Sequence, residues 1–278
     1  MKIGLFITAR LKSTRLQKKI LLDLNGKSVI DRVIERAKAV KGIDGVVLCT
    51  STNPQDSELY QYALKNKIEF YAGSEDDVLE RLHAAATYFG YDAFVSITAD
   101  NPLFSICTSN ILVNLYKKNK YDFINTIGLP MGCATYVLDV KALKIILKIK
   151  DQSDTEIWGP FINRPDIFNI AELHVENCKI SPTQRITLDY PEDLVLFKEI
   201  YSHFKPHESP SLKEVEKVFV ENPSLSAINE KHVQLMLDEN IIKKIDSLFN
   251  SKIDVIKQYA KEVNLILSPN KTIIKTSI

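Results

Sequence analysis

Four short apolar runs alternate with stretches of helical periodicity across the first hundred residues, and few folds accommodate that order. Lys2–Ile7 reads KIGLFI, a run too short for a helix and apolar enough for a strand buried on both faces. Val29–Val40 (VIDRVIERAKAV) carries apolar residues at 29, 30, 33, 34, 37 and 40, the spacing of one helix face, with Ser28 placed to cap it. Gly45–Cys49 is a second predicted strand, 56–66 a helix and Glu69–Tyr71 a third strand. A helix over Asp76–Phe89, with acids in its first turn, leads to a fourth strand at Ala93–Thr98. The order β-α-β-α-β-α-β predicts an α/β chain with a doubly wound, mainly parallel, Rossmann-like sheet. Such sheets take ligands beyond the carboxyl ends of their strands.

The loop at that edge is cationic. Residues 8–19 read TARLKSTRLQKK and hold Arg10, Lys12, Arg15, Lys18 and Lys19, although the whole 278-residue chain has a formal net charge of only +1. A nearly neutral chain has no global field for nucleic acid or membrane, so the cluster is local. The loop has neither GxxxxGK[ST] nor GxGxxG. Phosphate binding there would rest on the Arg and Lys side chains, helped by the hydroxyls of Ser13 and Thr14. A solvated basic surface loop accounts equally well for composition alone.

Two carboxylates shift that balance. Asp100 follows the fourth strand in TADNPL, and Asp189 follows a predicted strand at Arg185–Leu188 in RITLDYPED. Each alone suits an ordinary turn before proline. Together, facing a polyphosphate, they suit Mg²⁺, which takes one or two protein carboxylates beside phosphate oxygens and water. Cations for a triphosphate and carboxylates for its metal point to nucleotidyl transfer.

The motifs resemble those of the cytidylyltransferases that activate acidic sugars, and within them the spore-coat polysaccharide biosynthesis protein F subgroup. TARLKSTRLQKKILLDLNGKSVIDRVIERAK resembles the family's opening. Gly73–Arg81 (GSEDDVLER), Ile97–Leu103 (ITADNPL) and Arg185–Asp193 (RITLDYPED) match three later motifs in order, and SLKEVEKVFVENPSLSAIN resembles the subgroup's ending. The resemblance covers roughly residues 1–230. It implies a nucleotidyltransferase-type fold, CTP as substrate, Mg²⁺ as cofactor, a small anionic acceptor and a homodimer. Arg10 and Lys19 would bind the triphosphate with help from Arg15, Arg81 and nearby backbone would face the base, and Asp100 and Asp189 would bind the metal.

The sequence also departs from the family. Lys18 stands where the pattern has Gly, and Ala99 precedes Asp100 in place of Gly. The subgroup's acidic stretch becomes Met131–Tyr136, and its R-E-H becomes Thr155-Glu156-Ile157. These changes imply a changed acceptor. Trp158 and Arg164 lie in that region, more in keeping with a core Trp and a surface Arg. A glycosyltransferase using a nucleotide-sugar and a non-catalytic nucleotide-binding relative are the two alternatives, although the first hundred residues hold no clear D-x-D.

The rest of the chain predicts less. Cys49, Cys107, Cys133 and Cys178 are scattered without a CxxC pair, as in reduced thiols. No stretch reaches the roughly 18 apolar residues of a membrane span, and a cytoplasmic chain is expected. The domain expectation is a nucleotidyltransferase body over 1–204, a linker at 205–210 and a mostly helical extension to 278. In it, helices are predicted at 211–221 and 229–250, and a short strand at Leu265–Leu267.

Overall fold

The computed structural model describes residues 1–13, 15–234 and 237–278. In chain order its elements are β1 (Ile3–Thr8), α1 (Val29–Ala39), β2 (Gly45–Ser51), α2 (Leu59–Asn66), β3 (Glu69–Gly73), α3 (Val78–Phe89) and β4 (Ala93–Thr98). Then come α4 (Ile106–Asn119), β5 (Phe123–Ile127), β6 (Tyr136–Asp139), α5 (Val140–Ile149), α6 (Gly159–Ile162), β7 (Asn169–Glu176) and α7 (Pro191–Ser202). The chain ends with α8 (Leu212–Glu221), α9 (Glu239–Ser251), α10 (Ile253–Glu262) and β8 (Asn270–Ser277).

Among the described residues eight strands form one sheet in the order β3-β2-β1-β4-β6-β5-β7-β8. Only β6 runs antiparallel to its neighbours. The chain moves outward from β1 through β2 to β3, then returns to lay β4 on the other side of β1. The strand order therefore reverses between β1 and β4, and the crevice beyond their carboxyl ends is the natural ligand site.

Helix periodicity and capping explain the local elements. Ser28 Oγ accepts from the Asp31 amide at 3.3 Å and starts α1 at the residue its sequence marks as a cap. Asp77 caps α3 through Glu80 N at 3.0 Å. The α1 stripe Ile30, Val33, Ile34 and Ala37 packs with Leu112, Val113 and Tyr116 of α4 on one sheet face. The other face is covered by α3 and α5, joined by Ile245 and Phe249 of α9 and Ile256 of α10. A third cluster joins α7 and α8 to Leu103, Ile186 and Leu188.

Several expectations need correction. Arg185–Leu188 is not a strand: only an isolated bridge joins Arg185 to Met131, so Asp189 follows an irregular segment. Residues 229–234 are not helical, and the last strand is Asn270–Ser277 rather than Leu265–Leu267. That strand pairs in parallel with β7, so the extension contributes to the main sheet. The expected linker is held down by two buried arginines. Arg32 Nη1 donates to Glu208 O and Arg36 Nη1 to Pro210 O, each at 2.7 Å. No helix among the described residues is long and apolar enough to cross a membrane.

Candidate active site

The loop after β1 is folded against its neighbours by its backbone. Leu11 N donates to Oδ1 of the buried Asp56 at 2.7 Å, and Ser51 Oγ holds the other Asp56 oxygen at 2.5 Å. Lys18 takes the left-handed conformation, φ 46° and ψ 34°. This accounts for the Gly in the family pattern: a glycine enters this region without the Cβ clash that Lys18 bears. The reversal at Lys18 opens a 3-10 turn over Lys19–Leu21, with Leu21 N donating to Lys18 O at 2.8 Å.

Lys19 points from that turn into the crevice. Its Nζ donates to Asp100 Oδ2 at 2.6 Å and Asp189 Oδ1 at 2.8 Å. Thr98 Oγ1 holds the other Asp100 oxygen at 2.5 Å. Asp189 Oδ2 accepts from Arg185 Nη2 at 2.9 Å, and Arg15 Nη2 reaches Asp189 Oδ1 at 3.2 Å. Burial works against the charges of Lys19 and Asp189, but their attraction and hydrogen bonds outweigh it. The Lys19 pKa is raised above its ordinary value and that of Asp189 is lowered.

The other loop cations are paired as well. Arg10 donates to Glu75 O at 3.1 Å and bridges to Glu156 at 2.9 Å. Lys12 pairs with Glu75 at 3.1 Å, and Lys18 with Glu58 at 2.7 Å. Charge is thus concentrated in the loop but balanced locally by carboxylates from other segments. Ser13 lies half-buried on the same loop, and Thr14 lies outside the described residues.

Arg81 sits behind the loop and is 0 % exposed. Its Nη1 donates to Ser74 O at 2.6 Å and to Glu75 O at 3.3 Å, so Arg10 and Arg81 converge on one carbonyl. Burial holds its pKa below the usual arginine value. Its Nε and Nη2 have no partner among the described residues.

The segments that depart from the family pattern have structural work. Thr155 is buried, and its hydroxyl joins Asp77 Oδ1 at 2.9 Å to the Leu79 amide at 3.0 Å. Trp158 packs edge-on against Tyr136 and Phe123. Arg164 is buried rather than on the surface, ties α9 to the body through Asp246 at 2.8 Å and lies over Phe249. Cys49 is fully buried, which pushes its thiol pKa up and leaves no thiolate for chemistry.

Sequence reasoning missed Arg185, which grips Asp189 and Asp193 together with Nη2 at 2.9 and 3.2 Å. It also missed the pairing of Glu156 with Arg10. The only sequence signal for Arg185 was its place in RITLDYPED, since the expected strand carried no hint of which acid it would meet.

Two carboxylates that reach one ammonium nitrogen can also reach one cation, and hard oxygen donors of this kind suit Mg²⁺. No cluster of three or more His, Cys, Asp or Glu residues with metal-binding geometry occurs among the described residues.

A doubly wound sheet with a cationic loop and paired carboxylates at its switch point suits a nucleotidyltransferase. The cytidylyltransferase family model matches residues 5–222, and the chain belongs to that family. An uncharacterized protein of Methanocaldococcus jannaschii is 29% identical over 231 residues, covering 82% of this chain and 95% of its own length. Spore coat polysaccharide biosynthesis protein SpsF of Bacillus subtilis is 25% identical over 232 residues, covering 81% and 96%. The structure of a cytidylyltransferase from Leptospira borgpetersenii superimposes with a TM-score of 0.75 at 24% identity, covering 85% of this chain and 100% of that one. Family membership makes the chain an enzyme of the cytidylyltransferase type and favours neither the glycosyltransferase nor the non-catalytic alternative.

Proposed function

We propose that the protein transfers a cytidylyl group from CTP to a small anionic acceptor with Mg²⁺ as cofactor, releasing pyrophosphate. The acceptor would be an acidic sugar, a sugar phosphate or another small phosph(on)ate. The observation that carries this reading is the convergence of Lys19, Asp100 and Asp189 at the β1–β4 switch point, within reach of Arg15. Arg10, Lys19 and Arg15 would hold the triphosphate, assisted by Ser13 and Thr14. Arg81 would support the Ser74–Glu75 turn beside the base. Asp100 and Asp189 would hold Mg²⁺, which when bound neutralises phosphate charge and helps align the α-phosphorus.

In the reaction an acceptor oxygen attacks the α-phosphorus. The bond to the oxygen bridging the α- and β-phosphorus atoms breaks, and its electrons leave with pyrophosphate. Arg10, Arg15 and Lys19 stabilise the charge that gathers on that leaving group. A phosphate or phosphonate oxygen that is itself ionised attacks without a general base, whereas a sugar hydroxyl would release its proton to water as the bond forms; in both cases positioning supplies much of the rate. Lys19 has two alternative sets of partners, the carboxylates seen here and the phosphates of the nucleotide. The name of the Bacillus relative supports a place in surface polysaccharide synthesis. A cytoplasmic setting and a homodimer belong to the same proposal.

The test is pyrophosphate release with each of the four NTPs across a panel of acidic sugars, sugar phosphates and phosphonates, with and without EDTA. Turnover with CTP that EDTA stops is expected, and Asp100→Asn and Asp189→Asn should each abolish it. Wild-type turnover in both variants would remove the metal assignment, and preference for another NTP would remove CTP.

A further inference from the structure

The chain beyond the family match at residue 222 returns to the active site. Asn229, 1 % exposed, donates through Nδ2 to Asp193 Oδ1 at 2.7 Å and to Arg185 O at 3.0 Å. Its Oδ1 accepts from Gln184 Nε2 at 2.9 Å. Asp193 Oδ2 in turn accepts the amides of Asp189 and Tyr190 at 2.8 and 2.9 Å. Three residues after Asn229, the His232 ring lies flat on Tyr190, with centroids 3.8 Å apart and planes 6° apart. Nε2 of His232 is 2.9 Å from Glu192 Oε2, which fixes the ring's orientation. Tyr190 also meets the cationic loop. The Arg15 guanidinium lies 4.7 Å from its ring centroid, and Arg15 Nη1 donates to its phenolic oxygen at 3.2 Å.

A segment that only packed would bury apolar side chains. This one puts a buried amide on the acid that shapes the Asp189 loop, and an imidazole on the ring that carries Arg15. We infer that residues 229–232 form a positioning strap for the reaction, with Asn229 as its anchor and His232 as the residue that orients Arg15 through Tyr190. His232 itself touches no reacting atom; it acts by limiting where the Tyr190 ring, and so the guanidinium, can go. Long cationic side chains lose much rotamer freedom when they grip a phosphate, and an aromatic platform reduces that loss in advance. The inference rests on the reading that Arg15 serves a triphosphate.

The experiment measures binding of tripolyphosphate and of CTP to the full chain by calorimetry, together with steady-state kinetics. His232→Ala should weaken both ligands by about three- to tenfold, the range of an aromatic contact. KM for CTP should rise by the same factor, and kcat should fall by about two- to fivefold because Arg15 also steadies the leaving group. His232→Phe keeps the stack without the Glu192 hydrogen bond and should stay close to wild type in every measurement. Both variants should melt with the wild-type protein. Unchanged binding in His232→Ala overturns the strap, as does an equal loss in His232→Phe, which would show that the ring's charge or hydrogen bond acts instead of its face. Failure of the wild-type chain to bind tripolyphosphate overturns it too. Binding of tripolyphosphate without CTP would instead count against the nucleotide assigned above, and the tripolyphosphate arm would still decide the role of His232.

Discussion

The amide of Leu188 donates to the carbonyl of Asp100 at 2.9 Å. This bond lays the irregular segment after Arg185 beside the end of β4, and it brings Asp189 opposite Asp100 without a strand between them. The bridge of Met131 to Arg185, with Ile186 N donating to Met131 O at 2.8 Å, supports the same segment just upstream.

Gly132 is where that arrangement is tightest. Its φ is +89°, and a Cβ there would lie 2.2 Å from Ile186 O and 2.7 Å from Asn101 Oδ1. Gly132→Ala should destabilise the protein by about 1–3 kcal/mol through strain and displaced backbone. Turnover should fall as well, because the segment it pushes carries Asp189. Urea unfolding and steady-state kinetics check this, and wild-type behaviour in both would refute the close approach.

Lys19 is predicted to be the most sensitive cation of the loop, since among the described residues it alone reaches both carboxylates. Lys19→Met should lower kcat/KM by about 10²–10³-fold, the scale of losing one charge that stabilises the transition state. Lys19→Arg should recover little, because a planar guanidinium cannot occupy the compact position of an ammonium. Near-wild-type kcat/KM in Lys19→Met would remove the residue from the machinery.

Glu156 should act in the opposite direction. It holds Arg10 at 2.9 Å from an exposed position, and a triphosphate would have to displace it. Glu156→Gln is expected to lower KM for CTP by about two- to fivefold, within the range of exposed ion pairs. A raised KM would mean that the pair holds Arg10 in its working position.

The charged state of the centre should persist across ordinary pH. Asp189 has a lowered pKa in the folded chain, so its contribution to stability is complete above about pH 4 and is lost as pH falls through its folded value. Lys19 has a raised pKa, so its contribution is complete below about pH 10 and is lost as pH rises through its folded value. The stability difference between wild type and Asp189→Asn should stay constant from about pH 5 to pH 8 and shrink in acid. Urea unfolding across that range reads it directly. A difference that shrank near pH 7 would contradict the lowered pKa.

Much of the nucleotide half is legible in the residues alone. The runs of β1 and β2 follow from burial on both faces of the sheet, the stripes of α1 and α3 from packing on its two opposite faces, and Ser28 marks its helix start by its hydroxyl. Asp100 is legible because it directly follows a well-marked strand. Asp189 is found for a partly mistaken reason: its motif is right, but the strand assigned before it is a single bridge. The sequence reading missed α4 and β7. It misplaced β8 because Asn270–Ser277 is mostly polar and half-exposed, and gains its partner only from β7.

The sequence by itself determined the alternation of elements, the cationic loop and the acids that could answer it, because these depend on residue type and near-neighbour spacing. Only the tertiary structure decided which acid meets which cation. Lys19 finds Asp100 and Asp189, Arg10 finds Glu156 and Arg15 finds Asp189 and Tyr190 because the sheet order and two irregular segments bring distant stretches together. The same holds for Asn229 and His232. Spacing along the chain carries no record of contacts made through a fold, and these contacts set the geometry on which the proposed chemistry depends.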